Sequence, residues 1–390
     1  MENLWYHSTM IERILNIENL SRPGKTLLLL GPRRSGKTTL LKQFLSSTAR
    51  RTVFYDGGNL SVQQQFSINE YTHLKAAFEG YDVLAIDEAQ NIPGIGMSLK
   101  LINDASPSTI VIATGSSSLD MRGQVGEPLV GRKRTEILYP FSLEELFRSS
   151  HERPLSLSWK EAYPNLLRFG MYPSSVLASN NQERAAFLRE LIDSLLLRDI
   201  LMYQEVKGAH LLLQLLTLLA YQIGSEVSLT ELGASLGIRK ETVARYLDLF
   251  EKSFIIFRLG GLSRKLRSEV TRKAKYYFCD LGVRNAIINN FSPLETRNDG
   301  GLLWENFAIV ERLKARSYRS LFANQYFWRT WERSEIDLVE ERDGSYFAYE
   351  MKLNPRKVRG APRQWVETYG SNAPWQIITP DNILDFVLLD

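Results

Sequence analysis

The chain of 390 residues contains one cysteine, Cys279, which excludes an internal disulfide and leaves no cysteine set for a zinc site. Long apolar stretches are also missing: the longest, Leu211–Ala220, is interrupted by Gln214 and is too short to span a bilayer. Met1–Met10 is polar and lacks the basic-then-apolar order of a secretory leader, so a cytoplasmic protein with no membrane segment is expected. There is no internal repeat and no low-complexity segment. Neither sign of charge dominates, with 48 Lys/Arg against 44 Asp/Glu. What remains is the composition of a globular protein, long enough for two or three domains.

Residues 26–147 alternate short apolar runs with helical stretches, as in a parallel sheet covered by helices. Thr26–Leu30, Thr52–Tyr55, Val83–Ile86 and Ile110–Ala113 are the clearest strands. The first leads into Gly31-Pro32-Arg33-Arg34-Ser35-Gly36-Lys37-Thr38-Thr39, and a helix opens there. Glycines at this spacing let backbone N–H groups turn inward around phosphates, and the helix N-terminus adds partial positive charge. Lys37 is expected to reach the β- and γ-phosphates of a nucleoside triphosphate, with the Thr38 hydroxyl on Mg²⁺.

Val83–Ile86 lifts Asp87 and Glu88 to the carboxyl edge of the sheet, where ligands of open α/β sheets sit. Asp87 would hold Mg²⁺ and Glu88 would orient and activate the attacking water. Ile110–Ala113 ends in Thr114-Gly115-Ser116-Ser117, hydroxyls that could sense the γ-phosphate or simply form a turn. Arg132 and Arg134 could act as an arginine finger in trans, within a homo-oligomer, or belong to an ordinary basic surface.

Leu229–Ile238 reads as a short helix and a glycine turn, followed by a helix from Lys240 with Val243, Leu247 and Phe250 on one face. Arg239, Lys240, Thr242 and Arg245 fall on the other face, as a major-groove helix requires. Phe254–Leu259 and Lys275–Phe278 would be strands of a wing; such modules also serve as lids or docking surfaces. Seven Lys/Arg and one acid lie between Arg258 and Lys275, and four basic residues and no acid between Asn354 and Arg363. Runs of this kind neutralise phosphates or form a solvated face, and nucleic acid, DNA first, is the expected partner.

Ser334–Glu340 and Ser345–Lys352 are strand-like runs about Asp343-Gly344, a two-residue hairpin turn. That turn places Arg342 opposite Ser345, Asp337 opposite Glu350, and Glu335 opposite Lys352. Opposed carboxylates about 5 Å apart repel unless a cation lies between them or one is protonated. An oxygen-only set favours Mg²⁺ or Mn²⁺, with Glu305 completing the cluster and Lys352 orienting water or stabilising a phosphorane-like transition state. The plain alternative is a solvated strand face in which Glu335 and Lys352 form an ion pair.

Together, Gly31–Thr38, Asp87-Glu88, Thr114–Ser117, Gly131-Arg132 and Arg198-Asp199-Ile200 resemble bacterial and archaeal AAA-type ATPases that carry a winged helix and a C-terminal domain of unknown function. The resemblance covers nearly the whole chain and implies ATP as the nucleotide; no guanine-reading Asn/Thr-Lys-x-Asp motif occurs. The last module is similar to the PD-(D/E)xK nuclease fold, whose metal-binding and water-activating positions fall on Glu305, Asp337 and Glu350-Met351-Lys352, with Ile336 where that motif has proline. Many ATPase-linked copies of this fold dock or bind DNA without cleaving it. The expected architecture is thus α/β. A P-loop NTPase core (1–150) is followed by a helical lid or linker (151–208), a winged helix-turn-helix domain (209–296) and a nuclease-like α/β domain (297–390).

Overall fold

The computed structural model describes residues 11–115, 129–148, 155–194, 208–262, 274–330, 334–354, 360–370 and 373–388. Ser116-Ser117, Arg198–Ile200 and most basic residues of both runs lie outside these residues. The chain divides into two compact units, Arg13–Pro140 with Lys252–Phe254, and Phe141–Glu251 with Ile255–Asp390 and the first residues of the chain.

The first unit is built on a five-stranded, all-parallel sheet in the order β2-β3-β4-β1-β5. Its strands are β1 (Thr26–Leu30), β2 (Thr52–Asp56), β3 (Val83–Asp87), β4 (Ile110–Gly115) and β5 (Lys133–Ile137). Strands β1, β3 and β4 are buried along their whole length, as continuous Leu, Ile and Val runs require when a sheet is covered on both faces. Leu28, Leu30, Leu84, Ile86, Val111 and Ala113 pack with Phe66, Leu74, Ile95, Leu99 and Ile102 in one apolar cluster. Because β4 pairs with both β1 and β3, the ends of these three strands meet at one edge.

In the second unit, helices Leu143–Arg148, Leu155–Phe169, Pro173–Val176, Asn181–Ser194 and Ala209–Tyr221 precede a helix-turn-helix. The turn between helices Leu229–Leu236 and Lys240–Lys252 passes directly over Gly233, where a Cβ would lie 2.7 Å from the Ile238 carbonyl oxygen. Val243, Tyr246, Leu247, Leu249 and Phe250 are buried, and Arg239, Lys240 and Arg245 are exposed. Strands β6 (Glu226–Val227), β7 (Ile256–Gly261) and β8 (Ala274–Phe278) follow the pattern of a hairpin with a short third strand.

These strands do not form a separate sheet. Strand β9 (Asn324–Arg329) pairs in parallel with β7, and β10 (Glu335–Arg342), β11 (Ser345–Met351) and β12 (Trp375–Ile378) continue outward. The result is one seven-stranded mixed sheet, β12-β11-β10-β9-β7-β8-β6, which runs across the expected boundary at 296/297. The long helix Gly300–Tyr318 buries charged residues, each with a partner. Arg312 donates to Glu340 at 3.0 and 2.9 Å, and Lys314 donates to Glu311 at 2.7 Å.

On the outer strands, Trp328, Ile336, Val339, Ala348 and Trp365 form a small core. Trp365 is fully buried, its ring centroid lies 4.2 Å from that of Tyr369, and its indole nitrogen has no hydrogen-bond partner among the described residues. Trp365→Ala therefore removes packing alone and is expected to cost about 3–5 kcal/mol in urea denaturation of the full chain. A loss below about 1 kcal/mol would contradict this packing.

Candidate functional site

The loop between β1 and the Lys37–Ser47 helix takes the form its glycines permit. Gly31 (φ 151°) lies so close to the start of the segment after β5 that a Cβ would sit 2.2 Å from the Leu138 carbonyl oxygen. Arg34 and Gly36 also have positive φ, at 60° and 99°. Lys37 is the first helical residue, buried, and its Nζ donates to the Gly31 and Pro32 carbonyls at 2.9 and 2.8 Å. The ammonium thus spans the mouth of its own loop. Pro32 and Ser35 are buried, Arg33 and Thr38 half-buried, and Arg34 and Thr39 exposed. Among the described residues the buried Ser35 hydroxyl has no partner, a polar atom facing an unfilled requirement within the loop.

Asp87, at the end of β3, is placed between two hydroxyls. Thr38 Oγ1 donates to its Oδ2 at 2.7 Å and Thr114 Oγ1 donates to its Oδ1. Thr114 also accepts from the Glu88 amide at 3.1 Å. Glu88 itself is held at φ 49°, left-handed backbone that is uncommon outside glycine and asparagine, and its carboxylate accepts from Gln90. The donor set of Lys37, Thr38, Asp87 and the loop amides fits a Mg²⁺-bound triphosphate. The orphaned Ser35 hydroxyl and the Thr38–Asp87 spacing are the observations that make it fit.

Arg132 is not part of this constellation. It precedes β5 at the amino edge of the sheet, its peptide carbonyl accepts from the Thr26 amide, and its side chain pairs with Asp104. The five residues of β1 separate it from the loop by on the order of 15 Å, beyond the reach of its side chain. Arg132 is therefore out of reach of a nucleotide bound in its own loop, which leaves the expected role in trans. Arg134 pairs with Glu136 at 2.7 Å. A residue that no spacing pointed to, Arg13, donates to Ser35 O at 2.9 Å and Tyr139 O at 2.5 Å, tying the phosphate loop to the segment after β5.

In the second unit the hairpin turn has the expected form, with Asp343 and Gly344 at φ 48° and 77°. Register runs from Arg342↔Ser345 to Leu338↔Tyr349. Between Ile336 and Val339 the pairing with β9 shifts, so Asp337 lies at an irregularity and its carboxylate accepts from the Met351 amide at 2.8 Å. Glu335 does not pair with Lys352. It faces Lys275 at 2.5 Å and Arg329 at 3.9 Å, whereas Lys352 pairs with Glu350 at 2.5 Å. Glu305 is held by Lys275 at 3.3 Å and by the Tyr277 hydroxyl at 2.7 Å.

The sequence therefore brings Glu305, Asp337, Glu350 and Lys352 into one neighbourhood, yet the three acids do not fit a shared Mg²⁺ or Mn²⁺. Each carboxylate is turned to a different partner, and among the described residues no three His, Cys, Asp or Glu side chains are placed to hold one metal ion. Sequence reasoning missed Lys275 and Tyr277 at this site. The available signal was a lysine in a strand otherwise made of Ala, Tyr and Phe, since a buried charge demands a partner.

Residues 23–147 match the family model described as an AAA domain, a likeness to P-loop ATPases that implies ATP and Mg²⁺ binding in general terms. Residues 160–294 and 300–374 match two domains of unknown function, DUF8612 and DUF4143. Relatives include an uncharacterized protein of Mycobacterium tuberculosis, 29% identical over 84% of this chain and 70% of its own length. One from Haemophilus influenzae is 25% identical over 74% of each chain, and one from Methanocaldococcus jannaschii is 24% identical over 76% and 68%. Among solved structures, a signal transduction ATPase with numerous domains and a tetratricopeptide repeat sensor, from Pyrococcus horikoshii, is 12% identical with a TM-score of 0.31 over 80% of this chain. This chain spans about half of that protein, 48%. A DNA replication initiation factor is 15% identical with a TM-score of 0.26, over 78% of this chain and 87% of its own.

Burial, followed by the charge of Asp337, pushes the Glu305 carboxyl from 4.5 up to about 8. Burial, then Asp337, likewise raises Glu350 to about 6. The folded protein thus holds these protons more tightly than the unfolded chain. Their contribution to stability is fully present below about pH 4.5 and is lost as pH rises through about 6 and then about 8. Denaturation midpoints of the wild type are expected to fall over that range, and Glu305→Gln to flatten the part above about pH 6. An equally steep fall in Glu305→Gln would contradict the assignment.

Proposed function

We propose that the protein is an ATP hydrolase that uses nucleotide turnover to drive a nucleic-acid-directed activity. The observation that carries this reading is the continuous hydrogen-bonded run from the Thr38 hydroxyl through Asp87 and Thr114 to the Glu88 amide. Bound Mg²⁺ would neutralise charge on the β- and γ-phosphate oxygens. Thr38 and Asp87 would hold it, and Lys37 would exchange the Gly31 and Pro32 carbonyls for phosphate oxygens. Glu88 would take the proton of the attacking water, and Thr114 would fix the spacing between that base and Asp87. Arg132, at the far edge of the sheet, could act only on the nucleotide of a second copy, so a homo-oligomer belongs to the proposal.

The nucleic-acid side rests on the helix-turn-helix. Arg239, Lys240 and Arg245 are exposed where the apolar stripe of the Lys240–Lys252 helix is buried, an arrangement that suits phosphate contacts in a groove. A nucleotide-dependent switch or scaffold, with a C-terminal sheet that docks and does not cleave, is the form of this reading favoured by the separate engagement of Glu305, Asp337 and Glu350. Metal-dependent cleavage by these acids with Lys352 is not part of the proposal.

Lys37→Ala is expected to abolish ATP binding in a titration, and Glu88→Gln to retain binding while lowering turnover by about 100-fold or more. Turnover by Glu88→Gln at the wild-type rate would contradict the role of Glu88 as the base. DNA affinity is expected to fall linearly with salt on a log–log scale. Replacing Lys240 and Arg245 by alanine should reduce the slope by about 2, at roughly 0.9 per phosphate contact. A flat salt response would point to a protein partner.

A further inference from the structure

The disagreement between the nuclease-like motif and the geometry around it has a definite cause, a lysine that comes from outside the motif. Every residue of β8 is buried, and Lys275 is 1% exposed. Its Nζ lies 2.5 Å from Glu335 and 3.3 Å from Glu305, with the Phe327 ring 5.5 Å away. We propose that Lys275 is a built-in counter-ion that closes the Glu305–Asp337–Glu350 cluster to divalent cations and makes it a structural joint between the β7–β8 hairpin and the C-terminal strands.

The ammonium has nowhere else to go. Strand β8 is paired with β7 on one side and β6 on the other. Two residues beyond Lys275, the Tyr277 hydroxyl donates to the same Glu305 oxygen. Next to it, the Asn306 side chain accepts from the Phe278 amide at 2.8 Å and donates to its carbonyl at 2.9 Å, imitating a strand partner. A cation approaching Glu305 would have to expel a charged group whose backbone is clamped on three sides. Charge also balances closely without one: Lys275, Lys352 and Arg329 face Glu305, Glu335, Asp337 and Glu350, with the Met351 amide on Asp337. The excess is one negative charge, which burial of Glu305 relieves with a proton. The inference goes beyond the ATPase reading and stands or falls without it.

The test is Mn²⁺ binding to the full, nucleotide-free chain, followed by electron paramagnetic resonance of the free ion. Wild type and Asp337→Asn are expected to bind equally, because the cluster takes no metal. Lys275→Gln is expected to gain one Mn²⁺ that the added Asp337→Asn removes, and to melt at higher temperature with Mn²⁺ than without. Metal bound by the wild type and lost in Asp337→Asn would overturn the proposal, as would a folded Lys275→Gln with no added Mn²⁺. Should Lys275→Gln not fold, the double variant Lys275→Gln/Glu305→Gln decides. Recovery of folding supports a charge lock, and an equally unfolded double variant overturns it.

Discussion

The proposed chemistry depends on one constraint, the insertion of β4 between β1 and β3. The phosphate loop and the acidic strand are not neighbours in the sheet, and the strand between them has to supply whatever links their ends. Thr114 does so with a single hydroxyl, donating to Asp87 and accepting from the Glu88 amide. A valine there would fill nearly the same volume, and β-branched residues suit the strand equally well. It could offer neither bond. Asp87 is nearly buried, so its oxygens need these donors when no cation is bound. The same geometry that satisfies the carboxylate in the folded chain leaves it beside Thr38, the position that a magnesium-bound phosphate requires.

The second unit solves a related problem in the opposite way. In the nucleotide site the acid is held by neutral hydroxyls, which exchange readily for a metal or water. In the C-terminal cluster Glu305 and Glu350 are held by lysine ammonium groups, which do not leave a buried environment easily because their own desolvation is already compensated there. Proximity of carboxylates is therefore weak evidence for a metal centre. The identity of the groups that already neutralise them decides.

Much of the first unit was legible from the residues. The buried strands β1, β3 and β4 are continuous apolar runs bounded by glycine or charge, and their first residues coincide with the expected ones. Strand β5, Lys-Arg-Thr-Glu-Ile, was not legible, because a half-exposed edge strand carries no apolar pattern and reads as a basic surface. The hairpin at Asp343-Gly344 was legible since those two residues alone fix its turn. The shift between Ile336 and Val339 arises from pairing with β9, a partner that local spacing does not specify. Lys275 lies 30 residues from Glu305 in sequence, and only the merging of the β7–β8 hairpin with the C-terminal strands brings it to the acids. Asp337, Glu350 and Lys352 lie close in sequence about one hairpin turn; Lys275, which changes their meaning, does not.

Where the Lys37 ammonium goes when nucleotide arrives decides the role of this loop, and a crystal structure with Mg²⁺ and a non-hydrolysable ATP analogue measures it. Nζ is expected to leave the Gly31 and Pro32 carbonyls for the β- and γ-phosphate oxygens, with the metal between Thr38 and Asp87 and a water within reach of Glu88. An analogue bound elsewhere, with Lys37 still donating to its own loop, would contradict the assignment of this site.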